Sequence, residues 1–260
     1  MAKEPKKPKA PKKGKATVSE HAISVSAHPR ASYAIRRAKG FGGLAGLILV
    51  EPDFGTAVSL LAVVGVMVFS AGLSYRYVVG TGLVMLVGLG VVAMQAPYRV
   101  RRIMTFLNPW ADPLGDGFQI IQSLIAVGTG GLFGKGLMES KQKLFFLPEP
   151  HTDFIYSVIA EEMGFIGAVV ILACFGVLAW RGLRASLRAP DPFGSYLALG
   201  LTMMIVLQAF VNISVVLGLA PTKGIPLPLV SSGGSSLLIN LLAVGVLLNI
   251  SQHSTETGAA

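Results

Sequence analysis

The chain has 260 residues, of which 52% are hydrophobic and 13% charged, and its formal net charge is +9. A soluble domain carries about 25% charged residues, so the composition excludes an ordinary soluble enzyme and points to a polytopic membrane protein. The charge is uneven: residues 1–40 hold 11 Lys and Arg against 2 acids, and the remainder balances to zero. The high pI therefore describes a tail rather than a nucleic-acid surface, and no nucleic acid is expected as a partner.

Residues 1–40, with "KEPKKPKAPKKGK" at their start, read as a disordered basic arm drawn to anionic lipid. They lack the apolar centre of a signal peptide. The run "FGGLAGLILV" at 41–50 is too short to cross a bilayer, since about ten helical residues cover only about 15 Å, and is expected to be a stub. Five longer apolar runs follow, at 54–72, 77–96, 154–180, 195–219 and 225–249. Each approaches the ~20 residues needed to cross ~30 Å of hydrocarbon. The runs are continuous rather than alternating, which fits helices and not barrel strands. The expected fold is an all-α membrane protein over 41–252, a polytopic bundle of five full spans plus the stub, with a short tail at 253–260.

Orientation follows from the basic loop "RGLRASLR" at 181–188, which belongs on the cytoplasmic side. Counting spans from it places the arm at 1–40 inside, "EPD" at 51–53 outside, the long loop 97–153 outside and "APTKG" at 220–224 outside. The loop 97–153 carries six basic residues, which opposes its placement, but it also carries five acids, and long loops follow the charge rule poorly.

That extracytoplasmic loop is the main polar feature of the chain. Its stretch at 119–127 has helical potential. Its "GTGGLFGKG" at 128–136 is not a phosphate-binding P-loop, because Lys135 is followed by Gly136 and no strand precedes it. It ends in "LPEPHTDF", which puts Glu149, His151 and Asp153 between prolines and the next span. Asp153 fits two compatible roles. It could cap the following helix, or act as a general base with a raised pKa at the membrane mouth. Glu149 would share a face with it if the turn were helical, although Pro150 interrupts that turn. His151 reads as a hydrogen-bonding loop residue, since no second histidine stands at ligand spacing. Glu161 and Glu162 lie inside an apolar run. They are expected at the membrane surface or against a protein-lined cavity, and not both in lipid.

Lys223 fits either snorkelling to a headgroup or clamping a lipid-linked diphosphate, and Arg99, Arg101 and Arg102 fit the same pair of readings. "SSGGSS" at 231–236, including Ser235, allows close helix packing or approach of a ligand. Asp53 in "EPDFGT" reads as a cap. The lone Cys174 precludes an internal disulfide and reads as a small buried residue.

Taken together, "EPDFGTA", "RVRRIMTFLNPWADPLGDGFQIIQS", "GTGGLFGKGL", "LPEPHTDFIYSVIAEEMGFIGA", "PTKG" and "LPLVSSGGSS" resemble the SEDS family (shape, elongation, division and sporulation), and its division branch most closely. The resemblance covers about residues 45–252. It implies a peptidoglycan glycosyltransferase in the bacterial cytoplasmic membrane, at the division septum, that polymerises lipid II and releases undecaprenyl diphosphate. It assigns catalysis to Asp153 and matches the family's loop glutamate and PTKG lysine to Glu149 and Lys223; His151, Arg99, Arg102 and Ser235 are expected beside them as substrate-binding residues. No protein metal site is implied, although a divalent cation such as Mg2+ would suit the leaving diphosphate. The implied partners are a class B penicillin-binding transpeptidase and other division proteins. Two departures stand out: the family has about ten spans where this chain has room for five and a stub, and Ser232 stands where an aromatic is common. The alternatives are a lipid II flippase and a truncated, non-catalytic division scaffold.

Overall fold

The computed structural model describes residues 54–94, 97–145 and 147–256. The basic arm, the stub at 41–50 and Asp53 lie outside them. All regular structure among the described residues is helical. Helix α1 (Phe54–Ser70) and α2 (Tyr75–Met94) are apolar. Helix α3 (Pro97–Leu107) is amphipathic, with Arg101 and Arg102 off the face that carries Ile103, Met104 and Leu107. A 3-10 turn (Pro109–Ala111) leads to α4 (Phe118–Gly130) and the one-turn α5 (Gln142–Phe145). The long helices are α6 (Ile155–Arg188), α7 (Pro192–Val216) and α8 (Gly234–Glu256).

Three of these helices are long and apolar enough to cross a membrane: Ile155–Arg188, Pro192–Val216 and Gly234–His253. Their outward faces carry Phe165, Val169, Leu172, Val177, Leu238 and Leu242, all exposed, as expected of surfaces that meet lipid rather than water. α7 is the most enclosed. It packs on α6, with α1 and α8 also against it, while α4 lies along α6. Phe154, Tyr156, Phe175, Ile205, Ile213, Val216, Leu227 and Leu247 form the core between them. α7 starts sharply because Asp191 accepts a hydrogen bond from the Gly194 N–H and Pro192 occupies the first helical turn.

The last apolar run differs from the expectation of a helix over 225–249. Residues 225–233 are not helical, and α8 begins only at Gly234. Pro226 and Pro228 explain this: each lacks an N–H and disfavours helical backbone at the residue before it. Cys174 is also corrected. It is exposed on α6 rather than buried, because a helix apolar all round does not reveal which side faces its neighbours.

α6 is broken. Gly164 has φ 67° and ψ −164°, a conformation inside the helix that is not helical. The backbone groups released there exchange with the loop that follows α4. The N–H groups of Lys135 and Gly136 donate to the Glu161 and Glu162 carbonyls (both 3.0 Å), and those of Phe165 and Ile166 donate to Gly131 O (2.8 Å) and Leu132 O (3.3 Å). The glycine-rich stretch 128–136 thus splints a helix break. The same loop neutralises the two acids. Glu161, fully buried, accepts from Lys135 Nζ (2.7 Å) and Ser140 Oγ (2.6 Å), and Glu162 pairs with Lys143 at 2.5 Å. Neither carboxylate is bare in lipid.

Candidate active site

An open cavity of about 360 Å3 is lined by Asp153, Glu149, Lys223 and Arg102, with Asp116 and Gly224 beside them. Four of the residues singled out in the sequence therefore meet in one place. They come from three separate segments: α3, the turn before α6, and the stretch between α7 and α8.

The turn before α6 is not helical. Glu149 has φ 50°, in the left-handed region that few non-glycine residues adopt. Its carbonyl accepts from the Thr152 N–H (3.3 Å) and its carboxylate accepts from Thr152 Oγ1 (3.2 Å). This tight turn, rather than a shared helix face, brings Glu149 and Asp153 to the same cleft. The residue that opens α6 is Phe154, and no side chain caps it. Asp153 is consequently not the cap of α6, and its carboxylate accepts no hydrogen bond among the described residues. It rests against Gly224, where a Cβ would stand 2.7 Å from Asp153 Oδ2. Burial, and after it the negative charge of Glu149, hold the Asp153 carboxyl above the usual carboxylate range.

The basic side chains converge on the next strip of backbone. Arg102 Nη1 donates to Thr222 O (3.3 Å), and Lys223 Nζ donates to Thr56 Oγ1 (3.1 Å) at the start of α1. The end of the Lys223 side chain lies over Gly55, where a Cβ would be 2.2 Å from Cδ. A carboxylate of raised pKa thus faces a cleft that also holds a lysine and an arginine, which suits proton removal beside a departing anion.

The other expected site residues are placed differently. His151 does not line the cleft; its carbonyl accepts from the Ser232 N–H (2.9 Å) and Ser232 Oγ (3.0 Å). Ser235 is exposed at the start of α8 and does not line the cleft either. The Arg99 side chain lies outside what is described. Sequence reasoning missed three residues that hold the site together. Ser231 Oγ donates to Thr152 O (2.6 Å) and accepts from the Leu227 N–H (2.7 Å). Asn212 Nδ2 donates to Asp153 O (2.7 Å) and Ile225 O (2.6 Å), and Gln208 Nε2 donates to Pro226 O (3.1 Å). The available signal was an amide pair four residues apart in an otherwise apolar helix.

Comparison with known proteins places this geometry in context. The cell cycle protein family FtsW/RodA/SpoVE matches residues 21–256. Stage V sporulation protein E of Bacillus subtilis (strain 168) is 54% identical over 208 residues, which are 80% of this chain and 57% of that protein. The probable peptidoglycan glycosyltransferase FtsW of Geobacter sp. (strain M18) is 56% identical over 205 residues, 79% of this chain and 56% of that one. The chain thus spans little more than half the length of the curated relatives it matches. One chain of a peptidoglycan synthase complex, solved to describe the coordination of polymerization and crosslinking, is similar with a TM-score of 0.63 at 37% identity, covering 81% of this chain and 59% of that chain. The crystal structure of Thermus thermophilus rod shape determining protein RodA is similar with a TM-score of 0.55 at 32% identity, over 83% of this chain and 55% of that one. The chain belongs to the FtsW/RodA/SpoVE family of cell cycle proteins.

Proposed function

We propose that the chain carries the catalytic cleft of a peptidoglycan glycosyltransferase that polymerises lipid II during cell division. The observation that carries this reading is the convergence of Asp153, Glu149, Lys223 and Arg102 on one cavity. Asp153 acts as general base. Its carboxylate takes the proton of the acceptor sugar's 4-hydroxyl as that oxygen attacks the anomeric carbon of the lipid-linked donor. The bond from the anomeric carbon to the diphosphate oxygen breaks, and undecaprenyl diphosphate leaves with the bonding electrons. Lys223 and Arg102 stabilise the negative charge of the leaving group. Among the described residues no group of three His, Cys, Asp or Glu side chains stands together to hold a metal ion. His151, Arg99 and Ser235 are proposed to contact substrate outside the cleft proper.

The proposed membrane arrangement has α1, α2, α6, α7 and α8 as spans with the stub before them, residues 97–153 outside, and residues 1–40 inside. The polar cleft then opens on the outer surface, where a lipid-linked sugar can reach it. The similar solved chain comes from a complex that couples polymerization to crosslinking, which supports a class B penicillin-binding transpeptidase as partner at the septal cytoplasmic membrane. A transport path would need free polar groups at several depths. Glu161 and Glu162, the candidates in the sequence, are bound to Lys135 and Lys143, which supports polymerisation over transport. The test is incubation of the purified chain with lipid II and electrophoresis of the products: glycan strands are expected, and unchanged lipid II together with its movement between leaflets would favour the flippase.

A further inference from the structure

Asn212 is a buried polar side chain bonded to the backbone of the proposed base, and the chemistry above gives it no role. It lies on α7 one turn before that helix ends and is 1% exposed. Its single amide nitrogen donates to carbonyls of two different segments, Asp153 O at 2.7 Å and Ile225 O at 2.6 Å. The first segment carries Asp153 and Glu149; the second carries Lys223 and Gly224. Asp153 Oδ2 packs against Gly224, the residue just before Ile225.

The other anchors repeat this pattern. The successive carbonyls of His151, Thr152 and Asp153 accept from Ser232, Ser231 and Asn212 respectively. The base is thus fixed through its backbone while its carboxylate stays open to the cleft. The chemistry favours such an arrangement: donors aimed at the carboxylate itself would stabilise its charged form and compete with the proton it must accept. We propose that Asn212 is a positioning residue, whose one amide sets the separation between the Asp153 carboxylate and the Lys223 strip. The proposal rests on the polymerase reading of the cleft and adds to it a determinant outside the cleft.

The planar amide presents two N–H bonds in fixed directions, so both carbonyls are located by one rigid group. Asn212 is almost fully buried, and removal of the amide leaves both carbonyls without that donor. The two segments then relax apart, and the carboxyl loosens from Gly224 into water.

The test compares Asn212→Ala with Ser123→Ala. Ser123 is also fully buried and donates to Val216 O (2.8 Å) at the end of α7, outside the cleft, so its loss measures the effect of a broken buried bond alone. Two readouts are taken on the full chain. In lipid II polymerisation, Asn212→Ala should lower kcat by about ten- to a hundred-fold, the scale of misplacing a reacting group by an ångström, with a smaller change in KM. Independently of activity, the Asp153 carboxyl is labelled with a carbodiimide and an amine across a pH series and read by mass spectrometry. Asn212→Ala should move the labelling curve to lower pH, and Ser123→Ala should leave it in place. Asn212→Ser, which keeps a shorter donor, takes the place of the alanine variant if that variant does not fold. A labelling curve unmoved relative to Ser123→Ala overturns the proposal, whatever the loss of activity, because Asn212 would then be structural only. Polymerisation at the parent rate by Asp153→Asn would instead refute the role of Asp153, and the labelling curve would still decide the role of Asn212.

Discussion

Gly164→Ala is expected to destabilise the protein, although helix propensity alone predicts the opposite. In the interior of an ordinary helix, alanine is favoured over glycine by about 0.8–1.0 kcal/mol. At Gly164 the backbone has φ 67° and ψ −164°, a region open essentially to glycine alone, and forcing another residue into it costs about 1–3 kcal/mol. A Cβ would also stand 2.3 Å from Gly134 N and 2.5 Å from Leu132 O. These are backbone atoms, so no rotamer change relieves the contact, and the loop must withdraw from α6. The four exchanged hydrogen bonds from Lys135, Gly136, Phe165 and Ile166 hold it there. Losing two of them, at about 0.5–1.5 kcal/mol each, brings the total to about 2–6 kcal/mol. That is a large part of the ~5–15 kcal/mol that separates folded from unfolded domains. The assay is thermal unfolding of purified protein in detergent, followed by loss of the monodisperse peak on size exclusion. A clear fall in Tm, or failure to purify, is expected. A Tm equal to or above that of the parent would refute the backbone exchange at the break.

Three further outcomes follow from the same geometry. Glu161→Ala removes the partner of Lys135 and Ser140 from a fully buried position; breaking buried pairs costs about 3–5 kcal/mol, and the partial exposure of Lys135 places the loss in Tm at the lower end. Glu149→Gln removes the charge that helps raise Asp153, so the acid limb of the polymerisation rate should move to lower pH whatever happens to its height. Asp153→Asn should raise stability at neutral pH: a carboxyl whose folded-state pKa lies above its unfolded value stabilises at low pH and loses that contribution as pH rises through the folded pKa. The advantage of the variant, read by Tm across a pH series, should vanish below the ordinary carboxylate range.

The long apolar helices were legible because hydrocarbon admits few other structures, and the continuous runs around α6, α7 and α8 announced themselves. The break at Gly164 was not legible. One glycine in an apolar run reads as a tolerated helix residue, and only the loop paired with it shows otherwise. The non-helical stretch 225–233 did carry its signal in Pro226 and Pro228, but its apolar composition masked it. In the site, Asp153, Glu149, Lys223 and Arg102 stood out because charges beside a membrane require compensation. Asn212 and Ser231 did not, since they bind backbone carbonyls of distant segments, and an amide pair in an apolar run or a serine in a small-residue run looks the same whether it joins two loops or two helices.

The role of Asp153 is tested most directly by the rate at which Asp153→Asn polymerises lipid II, beside the parent, with both proteins purified to the same folded fraction. Asparagine keeps the shape of the side chain, and the Asn212 bond goes to the backbone carbonyl and survives the change. The proton acceptor alone is lost. General-base catalysis contributes about 10²–10⁴-fold, so the rate should fall by about that factor while Tm at neutral pH is raised. Polymerisation by Asp153→Asn at the parent rate would contradict the assignment of Asp153 as the base.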